Sequence, residues 1–432
     1  MMTLLDKKTN QIDRISDLPS NVIDAILGNL EIRDQVATSI LSKKWRYMWT
    51  SAPQIFFDEY FFRSLMGVHD DVVYEIIIGV LMLHNGPIHK FSIDLFYTFD
   101  FNTEKFNRLI PFMSRDIQHL ELVICGFGSV EDQMLDNLSL DILFSCKELT
   151  YFKFNGCKNL SISPDFRGIR KLLELDLECD EIESSALDTF MSGCPLLEKL
   201  SVGFRFGCDH LVISSPSLKV FVLELYDTKS VCLEKANNLI DFTLKLSRFG
   251  ASVYIKSLPQ VKKFSLTNWG KIPLADIIPP VLLTSSFSSL EYLQLDEFDL
   301  NDKGDILYLV RLLESAPSLV KLVIQDYEDD HSTQVLDPSE ELEWRSCCLK
   351  LQTVEICVEA SSQHGMSLIQ FILANSPLLK TLTFNFCSYR ELDGPMLKTS
   401  QDLLRMERAS PRAEVNFIHS AYRRRPLSIY IE

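Results

Sequence analysis

Cys194-Pro195-Leu196-Leu197-Glu198-Lys199-Leu200-Ser201-Val202 holds the pattern that decides the fold: an apolar residue, two variable residues, a second apolar residue, one variable residue and a third apolar residue. The last two apolar positions lie two apart. On an extended strand they point to one face, while Ser201 between them points to the other. Proline two residues before the first apolar position cannot continue a helix and favours an extended residue ahead of it. The segment therefore describes a step from a return segment into one short, half-buried strand.

Working outward, the same triplet recurs as Leu172-Leu175-Leu177, Leu149-Phe152-Phe154, Ile117-Leu120-Leu122 and Ile88-Phe91-Ile93 on the N-terminal side. Downstream it returns as Leu218-Phe221-Leu223, Leu239-Phe242-Leu244, Val261-Phe264-Leu266, Leu290-Leu293-Leu295, Leu319-Leu322-Ile324, Leu351-Val354-Ile356 and Leu379-Leu382-Phe384. Starts are 21 to 32 residues apart, the period of a leucine-rich repeat. Repeats of 21 or 22 residues leave room for only a short return, whereas the longer ones can hold a helix. Helical spacing is present at Phe106, Leu109, Ile110 and Met113, and at Ile369, Ile372 and Leu373. Proline occupies the same frame position at 195, 216, 259, 317 and 377. Three residues before the triplet stands Cys146, Cys194 or Cys348, and three after it Cys125, Cys157 or Cys387, where such repeats place Asn or Cys. The expected fold is an α/β solenoid, a right-handed β-α superhelix of horseshoe-like form. Strand geometry puts Asp176, Ser201, Val222, Thr243, Ser265, Gln294 and Val323 in one row on its inner curve, the candidate substrate-contact row.

Bulk properties narrow the function. The 432 residues carry a net charge of −16, without the basic footprint that nucleic-acid affinity needs. The N-terminus shows no signal peptide, which points to the cytoplasm or nucleus and to free thiols for the 11 cysteines. No Cys-x-x-Cys pair suggests a zinc finger. The apolar run Val72 to Leu83 is too short to span a bilayer and is expected to be a buried helix. Asp326 to Glu343 holds eight carboxylates and no Lys or Arg, which predicts an exposed loop, and Arg423, Arg424 and Arg425 predict a solvated tail.

Residues ahead of the repeats follow a different rule. Asp17-Leu18-Pro19 opens a helix in which Val22, Ile23, Ile26, Leu27 and Leu30 form a wide apolar stripe. Asp34 starts a second short helix, and Ser42 can cap a third that carries Trp45, Met48 and Trp49. A unit this small buries little of its own surface, so several hundred Å² of apolar area is expected to seek a partner.

These residues resemble the F-box of plant F-box/FBD/LRR-repeat proteins, from Asp13-Arg14-Ile15-Ser16-Asp17-Leu18-Pro19 through Thr38-Ser39-Ile40-Leu41-Ser42-Lys43-Lys44-Trp45-Arg46. Leu349 to Ile356, Phe371 to Pro377 and Ala409 to Val415 are similar to the FBD region of that family. The resemblance implies a tail at 1–12, an F-box at 13–50, leucine-rich repeats over 51–330 and an FBD-like region continuing them over 331–432. It implies docking to a Skp-type adaptor through Leu18, Pro19, Ile23, Leu27, Leu30 and Trp45, and through the adaptor to a cullin and a RING protein. The family commonly has Pro at Glu31 and Arg at Ala37, so docking could be altered around the second helix. The chain would then be the substrate-recognition subunit of an SCF-type ubiquitin ligase. It would use no catalytic residue, metal or cofactor and bind neither nucleic acid nor membrane. The alternatives are a repeat scaffold acting outside the ligase, or a ligand-sensing receptor.

No Gly-x-Ser-x-Gly, His-Glu-x-x-His or phosphate-binding glycine motif is present. Cys208 and His210 fall short of the ligand count of a metal site. Glu174, Asp176 and Glu178 alternate on one strand and suit a basic contact better than acid–base chemistry.

Overall fold

The computed structural model describes residues 14–95, 103–109, 112, 116–123, 138–139, 143, 146–162, 166–182, 184–206, 209–226, 228–233, 235–247, 253–326, 347–358, 363–386 and 400–419. The chain divides into two compact units, Met1–Asp180 and Glu181–Glu432. The division falls inside the stretch expected to be continuous repeats.

The first unit opens with α1 (Ser20–Gly28), α2 (Ile32–Ala37) and two 3-10 segments, Thr38–Ile40 and Trp45–Ser51. The third helix expected after Ser42 is therefore 3-10. The Ser42 hydroxyl still caps it, accepting the Trp45 amide at 3.2 Å. Next come β1 (Gln54–Phe57), α3 (Glu59–Ser64), α4 (Asp70–Leu83), β2 (Lys90–Asp94) and β3 (His119–Val123). They are followed by β4 (Leu138–Ser139), β5 (Tyr151–Ser161) and β6 (Glu174–Ile182). The strands lie in the order β1-β2-β3-β5-β6, with β4 beside β5.

In the second unit the main strands are β7 (Lys199–Phe206), β9 (Val220–Leu225), β11 (Asp241–Leu246), β13 (Lys263–Asn268), β14 (Tyr292–Phe298), β15 (Lys321–Asp326), β16 (Thr353–Val358), β17 (Thr381–Phe386) and β18 (Glu414–His419), in that spatial order. Neighbours are parallel, for example Leu223 opposite Leu244 and Leu244 opposite Leu266. Repeat length decides the return. Short repeats return through β8 (His210–Val212), β10 (Ser230–Cys232) and β12 (Tyr254–Ser257), which form a second parallel sheet. Longer repeats return through helices such as Lys303–Ser315 and Gln363–Asn375. Ile369, Ile372 and Leu373 are buried on the second of these.

All positions of the twelve triplets are at most 5% exposed. The frame extends one strand beyond them at each end, to β1, whose triplet is Ala52-Ile55-Phe57, and to β18. The prolines have a local explanation. Each of the amides of Leu197, Leu218, Leu319 and Leu379 bonds the carbonyl three residues back, on Cys194, Ser215, Ala316 and Ser376, at 3.1 to 3.4 Å. Proline thus occupies the second position of a β-turn, where its fixed φ is favourable. The residue whose carbonyl accepts this bond is buried, so only a small side chain fits there.

Two expectations change. The helix α4 buries Val73, Tyr74, Ile77 and Leu81 but leaves Val72, Ile76, Met82 and Leu83 exposed, so it is buried on one side only. Cys146, Cys179, Cys194, Cys232, Cys347 and Cys348 are free thiols, whereas Cys357 is disulfide-bonded. The acidic loop after Asp326, the Arg423–Arg425 tail, Ile110, Met113, Cys125, Cys208 and Cys387 lie outside the described residues.

Candidate functional site

The helical motif is built around Ile23, Leu27, Trp45 and Ala52, with Leu18 and Met48 packed against them. The carbonyl of Pro19 accepts the amides of Val22 and Ile23, which starts α1 where the missing proline N–H costs nothing. Trp45 donates its indole N–H to the Ile15 carbonyl at 3.1 Å, the Ser16 and Ser42 hydroxyls meet at 2.7 Å, and the Lys44 ammonium binds the Ser16 carbonyl. These contacts hold the chain ahead of α1 beside the last 3-10 segment. Gln35 is fully buried, and its amide nitrogen lies 2.9 Å from the carbonyls of Leu27, Leu30 and Gln54. It ties the end of α1 to β1. Pattern reading missed it because a glutamine in a short polar helix gives no apolar signal.

The six residues expected to face an adaptor do not share one surface. Ile23, Leu27 and Trp45 are 5%, 1% and 1% exposed and belong to the unit's own core. Leu18 and Leu30 are half-buried, and Pro19 is exposed. The open apolar surface is made instead by Val22 and Ile26 on α1, Val36 on α2, Ile40 at 86% exposure, Leu41 and Tyr47. The reason is angular. Neighbours on a helix are about 100° apart, so Ile23 and Leu27 turn inward while Val22 and Ile26 occupy the other edge of the same stripe. That edge was visible in the sequence, but which edge faced inward was not.

Glu31 precedes α2, half-buried, and hydrogen-bonds to Asp58. Burial, then that hydrogen bond and the charges of Asp58 and Asp34, raise its carboxyl above the ordinary glutamate range. Ala37 ends α2 and is exposed.

On the second unit's sheet the register brings the expected row together: Ser201 opposite Val222, Val222 opposite Thr243, Thr243 opposite Ser265, Ser265 opposite Gln294, and Gln294 opposite Val323. The row continues through Glu355, Thr383 and Asn416. Its members are half-buried except Val323, which is 8% exposed and so offers little contact area, and Asn416, which is exposed. Gln294 is held by Tyr292, whose hydroxyl donates at 2.6 Å, and donates to Asp296 at 2.9 Å; Lys321 pairs with Glu355 at 2.6 Å.

Asp176 belongs to the first unit, in a row with Phe56, Ser92, Glu121 and Lys153, and lies 3.9 Å from the Lys153 ammonium. Beside that row the rings of His119 and Tyr151 stack at 4.0 Å. The hydrogen bond from His119 is the main cause lowering the Glu121 carboxyl, while burial, with Glu121, Asp176 and Glu174 nearby, pushes the Tyr151 phenol up to about 12. Asp94, Glu121, Glu174, Asp176 and Glu178 outnumber Lys90 and Lys153 on this face. The same frame rule applied at Phe91-Ile93 and Leu120-Leu122 points directly to Ser92 and Glu121.

Among the described residues, no group of three or more His, Cys, Asp or Glu is arranged to hold a metal, and no helix is long and apolar enough to cross a membrane.

Known families agree with these two parts. An F-box domain model matches residues 15–56, and a model described as FBD-associated F-box protein At5g56370, LRR repeats, matches residues 112–324. F-box/FBD/LRR-repeat protein At1g13570 of Arabidopsis thaliana is 29% identical over 94% of this chain and 98% of its own length. Over nearly its whole length the chain is similar to F-box/FBD/LRR-repeat proteins. F-box/FBD/LRR-repeat protein At1g51370 of the same plant is 25% identical over 88% of this chain and 91% of its own. F-box/LRR-repeat protein 13, also from Arabidopsis thaliana, is 25% identical over 63% of this chain. The chain thus has an F-box at its N-terminus followed by a repeat region whose sheet is parallel.

Proposed function

We propose that the chain is the substrate-recognition subunit of an SCF-type ubiquitin ligase. Its F-box docks on a Skp-type adaptor, which links it to a cullin and a RING protein, and its sheet face binds the protein to be ubiquitinated. The observation that carries this is the exposed apolar surface of the F-box, with Ile40 at 86% and Tyr47 at 69% exposure. Apolar and aromatic groups of this kind dominate binding energy when a partner covers them. The adaptor-facing set is then Leu18, Pro19, Leu30, Val22, Ile26, Ile40, Leu41 and Tyr47, with Ile23, Leu27 and Trp45 holding it from beneath. The chain supplies proximity: it fixes a substrate lysine near a thioester on another subunit, and it performs no chemistry itself.

The domain limits 13–50, 51–330 and 331–432 and a right-handed superhelix are part of this proposal. So are the two face rows, Phe56 to Asp176 in the first unit and Ser201 to Asn416 in the second, as substrate surface. The carboxylates of the first favour a basic segment of the substrate.

The test is capture of a purified Skp-type adaptor by the full chain. Binding is expected, together with its loss on changing Leu18 and Pro19 to Ala. No adaptor binding by the intact chain would remove the proposal. The Glu31–Asp58 contact favours one second reading, a scaffold whose F-box is weakened around α2. It predicts substrate binding without ubiquitination in reconstituted ligase.

A further inference from the structure

The helix α4, Asp70–Leu83, is apolar almost all round, a composition that belongs in an interior. Only one side of it is interior. Val72, Ile76 and Leu83 are 50%, 36% and 62% exposed, and Met82 beside them is 70% exposed. At 3.6 residues per turn, Val72, Ile76, Gly79 and Leu83 form a single line along the helix. That line lies opposite the buried Val73, Tyr74, Ile77 and Leu81. A Cβ placed at Gly79 would meet nothing within 4 Å, so the middle of the line has open room. At Val72 and Leu83, half or more exposed, folding of this unit gives little reason for an apolar side chain.

The C-terminal end of α4 is tied to the F-box region. Just after α4, the Asn85 amide donates to the Thr50 carbonyl at 2.7 Å, and His84 Nε2 lies 2.8 Å from the Ala52 carbonyl. Gly86 packs on Ser51 so closely that a Cβ would come within 2.9 Å of its carbonyl oxygen. The C-terminal end of α4 is therefore fastened to the last residues of the 3-10 segment that exposes Tyr47. Met82 and Leu83 immediately precede the residues so fastened.

We propose that the Val72–Ile76–Gly79–Leu83 line is a second part of the adaptor-docking surface, covered by an apolar segment of the same adaptor that takes the F-box. This rests on the receptor reading and extends its interface by about three turns of α4.

Binding of the full chain to a purified Skp-type adaptor is measured by calorimetry for the wild type, an Ile76→Gln/Leu83→Gln double variant and a Gly79→Leu variant. The double variant is expected to bind about tenfold more weakly or worse, with an unchanged melting temperature, because the lost groups are exposed in the free chain. Gly79→Leu is expected to raise the melting temperature, since leucine favours helix over glycine, yet to weaken adaptor binding. A binding loss accompanied by greater stability cannot come from misfolding. Hydrogen exchange at 72–83 should slow when adaptor is added. Wild-type affinity in both variants would overturn the inference while leaving the F-box reading intact. Failure of the wild type to bind adaptor would remove both. Self-association of the wild type that the double variant abolishes, with adaptor binding unchanged, would assign the line to a second copy and overturn it too.

Discussion

The F-box and the repeats are comparably rich in apolar side chains but treat them in opposite ways. In the repeats the triplet residues are sealed: Phe242 is 0% exposed and lies between Phe221 and Phe264, with ring centroids 5.6 and 5.7 Å away. In the F-box, Val22, Ile26, Ile40, Leu41 and Tyr47 remain open. The difference follows from neighbours. An internal repeat strand is covered on both sides by the next copies of its own pattern, so apolar surface added by one unit is used by another. Two short helices and two 3-10 segments have no next copy, and their surplus stays at the surface. Apolar residues thus form core in one region and open surface, the proposed interface, in the other.

The largest effect that would sharpen this contrast is expected from Phe242→Ala. Removing a sealed ring should cost about 3–5 kcal/mol, read as a lower denaturant midpoint with an unchanged slope. Gln35→Ala comes next, at about 2–3 kcal/mol, because the carbonyls of Leu27, Leu30 and Gln54, one buried and two partly buried, lose their shared donor. If that variant were neutral, the F-box would be held together by its apolar cluster alone.

A pH effect separates the regions in another way. Asp305, at the start of the helix Lys303–Ser315, accepts the Leu274 amide at 2.7 Å, and burial is the main cause pushing its carboxyl up to about 6. Its folded-state value lies above the unfolded one. The stabilisation is therefore complete below the unfolded value, near 4, and is lost as pH rises through about 6. Asp305→Asn keeps the accepting oxygen and should stabilise the repeats at pH 7.5 by on the order of 2 kcal/mol, with the advantage vanishing near pH 4. A melting difference constant across that range would count against it. Glu31 is raised in the same direction, so Glu31→Gln should give a smaller gain at neutral pH that disappears in acid. The smallest change in stability is expected from Ile40→Gln, within about 0.5 kcal/mol, although adaptor binding should weaken. A marked drop in melting temperature for Ile40→Gln would break the comparison, because it would make Ile40 core.

The repeats were more legible than the F-box, for a geometric reason. A strand has two faces, so one frame assigned Leu200 and Val202 to the core and Ser201 to the candidate contact row, and the register with Val222 and Thr243 followed. A helix stripe has a continuous range of directions. Val22 and Ile23 look alike in sequence, yet one is 37% and the other 5% exposed. Gln35 and the Ser16–Ser42 pair gave no signal at all, since each joins residues distant along the chain. The return strands β8, β10 and β12 were foreshadowed only as short returns.

Periodicity and turn chemistry in the chain itself determined the strand frame, the core positions, the proline turns and the existence of a separate apolar helical motif. Those features depend on local geometry that each segment carries with it. Tertiary structure alone decided which apolar residues of the F-box and α4 stay exposed, and that the Asp176 face of the first unit gathers carboxylates around stacked His119 and Tyr151. Exposure depends on what other segments cover, and no single segment contains that information.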